Sequence, residues 1–143
     1  MSPHSEEESA HIGVLNEQPL HAALKMAYAV PGSRLEAEVD GFVVDVAQDD
    51  QLIEVQTGNF SSIKRKMTFL ASNHPLLLVY PIPRERWLLK LPKEDGGEME
   101  RRKSPKRGRP EEVFKELVSF PRLMCRETFA VEVVLTQEEE LRR

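Results

Sequence analysis

Two short apolar segments separated by a polar tetrad constrain this chain more than any other feature. Residues 39–46 and 52–57 are rich in β-branched side chains, and the tetrad QDDQ at 48–51 lies between them. This arrangement predicts two antiparallel strands joined by a tight turn. If the turn is centred in the middle of the tetrad, Asp45 lies directly across the hairpin from Glu54, with Cβ atoms roughly 4.5 to 5.5 Å apart.

Two carboxylates held together on an apolar hairpin repel each other and are costly to desolvate. A shared proton, a basic partner or a divalent cation would offset that cost. Mg²⁺ takes oxygen ligands at about 2.0 to 2.1 Å and is often held by one or two carboxylates, substrate phosphate and water. Asp45 and Glu54 therefore suit metal-assisted phosphodiester hydrolysis, and Gln56 is expected on the same sheet face because side chains alternate along a strand. The alternative is that both acids face solvent on an ordinary half-exposed hairpin.

A second aspartate competes for the same role. Residues 34–46 predict a strand that is interrupted at Asp40-Gly41. On one unbroken strand Asp40 and Asp45 would face opposite sides, because they are separated by an odd number of residues. A bulge or turn at Gly41 would let both approach a metal. The apolar flanks and the hairpin register favour Asp45.

The order of these segments resembles the core of the PD-(D/E)xK nuclease superfamily, which has a restriction-endonuclease-like fold. The resemblance is carried by VVDV at 43–46, LIEVQT at 52–57, the helix that begins at Phe60, and LLLVY at 76–80. Over roughly residues 20–142 the chain is also similar to a family of prokaryotic nuclease-like proteins, through EVDGFVVDV, LIEVQTGNFSSIKRK, LLLVYPI and RRKSPKRGRPEEVF. The resemblance implies an α/β domain with a central mixed β-sheet flanked by helices, in which an αβββαβ core precedes a C-terminal helix and strand.

The resemblance also implies a metal site that uses Mg²⁺ or Mn²⁺. Asp45 and Glu54 would be ligands, and the carbonyl of Val55 would be a third. The resemblance implies that the substrate is DNA.

One position departs from the superfamily motif. Gln56 stands where the motif has lysine, so it is expected to contact water or phosphate without supplying a charge. In some members of the superfamily the lysine comes from the helix that follows, which makes Lys64 a catalytic candidate and Lys66 its alternative. Both lysines also suit an ordinary solvated helix surface.

Basic residues are distributed unevenly, although the formal net charge is −4. Only 2 of the 20 lysine and arginine residues precede residue 60. The densest run, 101–109, has no acid and contains proline and glycine, which disfavour regular structure. It predicts an exposed loop that follows a phosphate backbone, with a solvated linker as the alternative. Its basic residues are Arg101, Arg102, Lys103, Lys106, Arg107 and Arg109.

Hydrophobic periodicity and proline positions predict the remaining elements. In chain order they are a helix at 16–29, a strand at 76–80 that ends at Pro81 and Pro83, a strand at 86–91, a helix from Pro110 whose apolar face includes Phe114, a strand at 129–135 and a charged helix from Gln137.

The chain of 143 residues suffices for one globular domain. Residues 1–11 lack apolar periodicity and predict a disordered acidic tail, which leaves 12–143 as the domain. Cys125 is the only cysteine; it has no disulfide partner, is expected in the core, and favours a reducing, cytoplasmic compartment. No apolar run has the length of a membrane span.

The expected function is that of a metal-dependent nuclease-like protein that acts on or binds DNA. Whether it is an enzyme is left open, because Gln56 replaces lysine. The alternatives are a catalytically degenerate nucleic-acid-binding module and a protein-interaction module whose basic loop contacts an acidic protein. DNA is the expected partner, a homodimer is the open oligomeric alternative, and no membrane is expected.

Overall fold

The computed structural model of this protein describes residues 17–92, 97–105 and 108–142. The predicted acidic tail at 1–11 lies outside the described residues, as do Lys106 and Arg107. The elements are helix α1 (Glu17–Tyr28), strands β1 (Arg34–Val39), β2 (Phe42–Ala47) and β3 (Leu52–Val55), helix α2 (Lys64–Asn73), strands β4 (Leu76–Lys90) and β5 (Glu100–Lys103), helix α3 (Val113–Leu117) and strand β6 (Phe129–Arg142).

These strands form a six-stranded mixed sheet. The first three make an antiparallel meander, β3 is parallel to β4, and β6 is parallel to β4 on its other side. The short strand β5 is antiparallel to the last residues of β4. The predicted α/β fold class, with an αβββαβ core followed by a helix and a strand, is confirmed.

Two tight turns set the register around the acidic residues. The predicted interruption at Asp40-Gly41 is a full chain reversal between β1 and β2. Both turn residues have positive φ, 52° and 87°, which is the conformation that Asp-Gly favours in a two-residue hairpin. Between β2 and β3, Val46 pairs with Ile53. The hairpin is therefore centred as predicted, and its register places Asp45 opposite Glu54.

Apolar residues cover both faces of the sheet. On one face Leu20 and Leu24 of α1 pack with Val46, Ile53 and Val55. On the other face the larger core includes Phe60, Met67, Leu70, Phe120 and Phe129. The β2–β3 hairpin thus lies between α1 and α2. Within the described ranges, no helix has the length and apolarity needed to cross a bilayer.

Strand β4 does not end at Pro81 and Pro83, so that prediction is wrong. The carbonyls of Val79 and Pro83 accept hydrogen bonds from Gln56 (2.9 Å) and Gly108 (2.6 Å) on the β3 side. Backbone N–H and C=O groups point to alternate sides of a strand from one residue to the next, so residues 79, 81 and 83 point to the same side. The positions of the missing N–H groups of both prolines therefore face the interval between the end of β3 and the start of β5. The ladder between β4 and β6 is therefore uninterrupted until a bulge between Pro83 and Glu85.

The basic run is not the adaptable loop that its composition predicts. Arg101, Arg102 and Lys103 lie in β5 and pair with residues 87–89 of β4. The segment is also fixed on its far side, where the N–H of Gly108 donates to Pro83. Long-range pairing with β4 thus overrides a local composition that disfavours regular structure.

The predicted C-terminal charged helix is also wrong, because β6 continues to Arg142 in parallel pairing with β4. Glu138 in this part of the strand has a partner on β4. The guanidinium of Arg86 donates to Glu138 at 2.8 and 3.2 Å. Sheet pairing over fourteen residues decides the conformation where local propensity favours a helix.

Two predicted core residues are exposed. In α3, Val113 is buried, but Phe114 is 67% exposed, because the helix has only five residues and presents a narrow face to the sheet. Cys125 is also exposed. It lies at the end of a 3-10 turn, where its thiol is 3.6 Å from the carbonyl of Pro121.

Candidate active site at the β2–β3 hairpin

Asp45 and Glu54 each bind a backbone N–H of the opposite strand. The N–H of Asp45 donates to Oε1 of Glu54 at 2.7 Å, and the N–H of Val55 donates to Oδ2 of Asp45 at 2.8 Å. Side-chain oxygens thus take acceptor positions that backbone carbonyls hold in a regular ladder. Both carboxylates lie in the space between the strands as a result.

Lys66 of α2 forms an ion pair with the buried glutamate. Its ammonium is 2.9 Å from Oε2 of Glu54 and 2.5 Å from the carbonyl of Val43. Glu54 is only 5% exposed, so this contact lies in a poorly solvated place where charge interactions are strong. Of the two lysines considered from the sequence, Lys66 contacts Glu54, whereas Lys64 lines cavities elsewhere on α2.

His21 of α1 contacts the other carboxylate. Its Nε2 is 3.2 Å from Oδ2 of Asp45 and 3.1 Å from the carbonyl oxygen of Val55. The residue is half-buried and lines an open polar cavity of about 560 Å³, together with Gln56 and Thr57. A side chain of α1 therefore contacts the site from one side, and a side chain of α2 contacts it from the other.

Glu54, Asp45 and His21 have shifted pKa values. Burial raises the pKa of Glu54, and the nearby charge of Asp45 raises it further, against the opposing effect of Lys66. Burial also acts to raise the pKa of Asp45, but hydrogen bonds from His21 and Val55 outweigh it and lower that pKa below its usual value. The hydrogen bond to Asp45 raises the pKa of His21. Two neighbouring carboxylates whose pKa values are pushed apart are typical of functional sites.

Gln56 lies at the end of β3 and borders the same cavity as His21. Its backbone N–H continues the pairing with Val79, and its side-chain amide donates to the carbonyl of Gly58 at 2.6 Å. The amide is thus held by its own turn. The cationic group near the hairpin comes from α2 instead.

Asp40 does not belong to this cluster. It lies in the β1–β2 turn, five residues from Asp45 at the other end of β2, and its carboxylate is 2.7 Å from Nε2 of His74. Of the two aspartates, Asp45 is the one that lies beside Glu54, and its role as the motif aspartate stays a prediction.

The described basic residues of the 101–109 run lie apart from the hairpin and are partly neutralised. Arg101 lies over the ring of Trp87, 4.0 Å from its centroid, and is 3.4 Å from Glu139. Lys103 is 3.2 Å from Glu85. The backbone N–H of Arg109 donates to Glu112 at the start of the 3-10 turn before α3. Arg102 is exposed.

The hairpin offers donors of the kind that a hard divalent cation prefers. These are the carboxylates of Asp45 and Glu54 and the carbonyl of Val55, all oxygen. The imidazole of His21 lies within 3.2 Å of two of these three groups. Among the described residues, no three His, Cys, Asp or Glu side chains converge on one point, so a metal would depend on the backbone carbonyl as well. The buried negative charge and the donor chemistry fit Mg²⁺ or Mn²⁺.

His21 is the residue of this site that the sequence did not reveal. It borders the apolar stripe of α1 formed by Leu20 and Leu24, and no metal-ligand spacing includes it. Its position on the helix that precedes the hairpin was the only available signal. Thirty-four residues separate it from Val55, so only the packing of α1 on the sheet brings them together.

The fold and the site together define a class of protein. It is an α/β domain that holds a carboxylate pair, a lysine and a histidine at a β-hairpin. Residues 18–143 match the family model described as Domain of unknown function (DUF8091), and the chain belongs to that family. The chain is similar to a protein of Treponema pallidum (strain Nichols) described as an uncharacterized protein, with 33% identity over 132 residues. The match covers 92% of this chain and 52% of that protein, so the chain spans about half the length of this relative. No solved structure matches the chain.

Proposed function

We propose that this domain is a divalent-metal-dependent phosphodiester hydrolase of the nuclease type that acts on DNA in the cytoplasm. The observation that carries the proposal is the ion pair between Lys66 and the buried Glu54. It supplies, from α2, the positive charge that Gln56 cannot supply from the strand. The resemblance of the hairpin to the PD-(D/E)xK core then extends to the lysine as well as to the two acids.

Each residue has a distinct role in this proposal. Asp45, Glu54 and the carbonyl of Val55 would hold Mg²⁺ or Mn²⁺. When bound, the ion would activate water and neutralise charge on the leaving oxygen. The Lys66 ammonium would stabilise negative charge on the non-bridging oxygens of the scissile phosphate, in a poorly solvated place where that interaction is strong.

His21 modifies the donor set. Its Nε2 lies beside two acceptors, Asp45 and the carbonyl of Val55, and donates a proton to them. If a bound cation displaced that proton, the neutral imidazole would add a nitrogen ligand on the α1 side. Nitrogen donors favour transition-metal ions, whereas carboxylate and carbonyl oxygens suit Mg²⁺ and Mn²⁺ alike. Participation of His21 would therefore shift the preference of the site from Mg²⁺ towards Mn²⁺.

Cleavage of labelled DNA in Mn²⁺ or Mg²⁺ tests the proposal. We expect Asp45→Asn to lose cleavage and Asp40→Asn to retain it. Each substitution removes one carboxylate charge, Asp45 from β2 and Asp40 from the turn before it, but only Asp45 contacts Val55 and His21. Equal cleavage by the wild-type protein and Asp45→Asn would contradict the proposed site.

A second function, nucleic-acid binding without cleavage, is favoured by the position of Gln56, whose amide is held by Gly58 and carries no charge. Calorimetric titration with Mn²⁺ separates the two functions. Binding of Mn²⁺ and DNA by a protein that never cleaves would support this second function. Cleavage that is lost in Asp45→Asn supports the first.

A further inference from the structure

A basic groove lies along the outer side of α2. It consists of two adjoining cavities of about 500 and 570 Å³ that share Lys64 and Thr68. Arg122 and Arg126, from the segment before β6, line the first cavity, and Arg65 and Phe69 line the second. We call these six residues the α2 groove. No acidic residue lines either cavity.

The basic side chains of the α2 groove have no acidic partner in the part of the chain that the structure describes. In residues 17–92, 97–105 and 108–142, no ion pair includes Lys64, Arg65, Arg122 or Arg126. Five other basic side chains in the same ranges are paired with an acid, namely Lys25, Lys66, Arg86, Arg101 and Lys103. Arg34, Lys90 and Lys115 also have no ion pair in these ranges, so the α2 groove is distinguished by the grouping of its four cations around two adjoining cavities. Four unpaired cations around a concave surface produce a positive potential that attracts an anionic ligand.

The second cavity adds an exposed aromatic side chain. Phe69 is 47% exposed, and its ring is held 5.5 Å from that of Phe42. A positively charged groove combined with an accessible aromatic ring is the arrangement that binds single-stranded nucleic acids, because the cations contact phosphates and the ring stacks on a base. In duplex DNA the bases are paired and stacked, so an aromatic side chain cannot reach their faces.

We propose that the α2 groove binds a single-stranded nucleic acid, with Lys64, Arg122 and Arg126 contacting phosphates and Phe69 stacking on a base. The inference rests on the proposed function for the choice of ligand, and it names the form of that ligand. Successive helical residues are rotated by about 100°, so Lys64 and Lys66 lie on opposite flanks of α2, one helix diameter of roughly 10 Å apart. A strand bound in the groove would thus pass close to the candidate active site without occupying it.

A salt titration of oligonucleotide binding tests the electrostatic part. The probe is a fluorescently labelled single-stranded oligodeoxynucleotide, measured by anisotropy in EDTA so that binding is separated from hydrolysis. The logarithm of the affinity falls with the logarithm of salt concentration by about 0.7 for each phosphate contact in a single strand. The triple variant Lys64→Gln, Arg122→Gln, Arg126→Gln should therefore have a slope smaller by about 2.

The matched control removes three exposed basic residues outside the groove, as Arg34→Gln, Lys90→Gln and Lys115→Gln. It changes net charge equally, so its slope should remain close to that of the wild-type protein. Equal slopes in the two triple variants would overturn the proposal, because they would show that total charge and not the groove determines binding. Circular dichroism spectra of both variants serve to check that each is folded.

Substitutions at two phenylalanine positions test the stacking part. Phe69→Ala should weaken binding about fivefold or more at an unchanged salt slope, Phe69→Trp should restore it, and Phe114→Ala, which removes another exposed ring, should have no effect. Tighter binding of duplex than of single strand, or equal effects of Phe69→Ala and Phe114→Ala, would overturn the proposal. Repeating the measurement with Asp45→Asn keeps the two proposals distinct, since this variant should lose cleavage but retain binding in the α2 groove.

Discussion

The backbone N–H of Asp45 donates to the carboxylate of Glu54 at 2.7 Å, directly across the β2–β3 hairpin. The N–H of Val55 donates in turn to Asp45. Each acid therefore stabilises the strand opposite to its own, and the two carboxylates are fixed by the backbone before any ligand binds. Such pre-organisation is what a metal site or a phosphate site requires.

The buried glutamate should contribute measurably to stability. Glu54→Ala removes the acceptor for the N–H of Asp45 and leaves Lys66 without its partner, so we expect a loss of about 2 to 3 kcal/mol in the free energy of unfolding. Glu54→Gln keeps an acceptor and should lose less. Urea denaturation measures both, and Glu38→Ala, which removes an exposed acid from β1, should stay within about 0.5 kcal/mol of the wild-type protein.

Lys66 should matter for catalysis more than any other lysine of α2. If it stabilises charge on the phosphate, Lys66→Met should lower kcat for DNA cleavage by about 10²- to 10³-fold. Lys90→Met, at the exposed end of β4, is the control and should retain full activity. The substitution leaves Glu54 without its partner. Cleavage must therefore be measured below the unfolding temperature of the variant. A Lys66→Met protein that is folded and fully active would exclude the proposed role.

His21 should affect metal preference. Removing a nitrogen ligand, or the group that orients Asp45, should weaken Mn²⁺ binding to His21→Ala by about tenfold or more, with a smaller effect on Mg²⁺. Isothermal titration calorimetry gives both affinities without substrate. His74→Ala removes the imidazole that contacts Asp40, and its Mn²⁺ affinity should be unchanged. A similar loss in both variants would mean that His21 is not specific to the site.

Tyr28 should make stability depend on alkaline pH. Its hydroxyl donates to Glu132 at 2.9 Å and ties α1, which carries His21, to β6. Burial raises the pKa of Tyr28, and the hydrogen bond to Glu132 raises it further. A pKa that is higher in the folded state gives stability that is complete below about pH 10, the value in the unfolded chain, and is lost as the pH rises above it.

Tyr28→Phe should lack that part of the pH dependence. Chemical denaturation of both proteins on either side of pH 10 measures the difference. Tyr80 has a raised pKa too, because it is buried, but it is present in both proteins and cancels. Parallel curves for wild type and Tyr28→Phe would contradict the expectation.

Local sequence patterns predicted the hairpin and its register. Two apolar runs flank the polar tetrad at 48–51, which places the turn in the middle of the tetrad, and a shift of one residue would move every side chain of a strand to the other face. The register of Asp45 and Glu54 follows directly from that constraint. Asp40-Gly41 likewise has few alternatives to a tight turn, since two consecutive residues with positive φ suit this dipeptide.

Local patterns failed where a distant strand supplies the hydrogen bonds. A proline ends a strand only where a neighbouring strand needs the N–H group that proline lacks. In this fold Pro81 and Pro83 face an interval in which β4 has no described partner strand. Residues from Gln137 onwards have the composition of a helix, yet β4 offers them a parallel ladder. Arg101 to Lys103 became a strand for the same reason. These outcomes depend on pairing with β4, whose partner residues lie 12 to 16 residues from residues 101–103 of β5 and 52 residues from the end of β6.

The sequence by itself determined the centre of the β2–β3 hairpin and the opposition of Asp45 and Glu54, because two apolar runs flank a polar tetrad within about twenty residues. The αβββαβ order was an expectation that the resemblance to the nuclease core implied. Tertiary structure decided that Lys66 and not Lys64 reaches Glu54, that His21 contacts Asp45, and that the unpaired basic groove lies along α2. Those relationships depend on how α1, α2 and the segment before β6 are oriented on the sheet. That orientation is set by burial of the whole core and not by any local pattern.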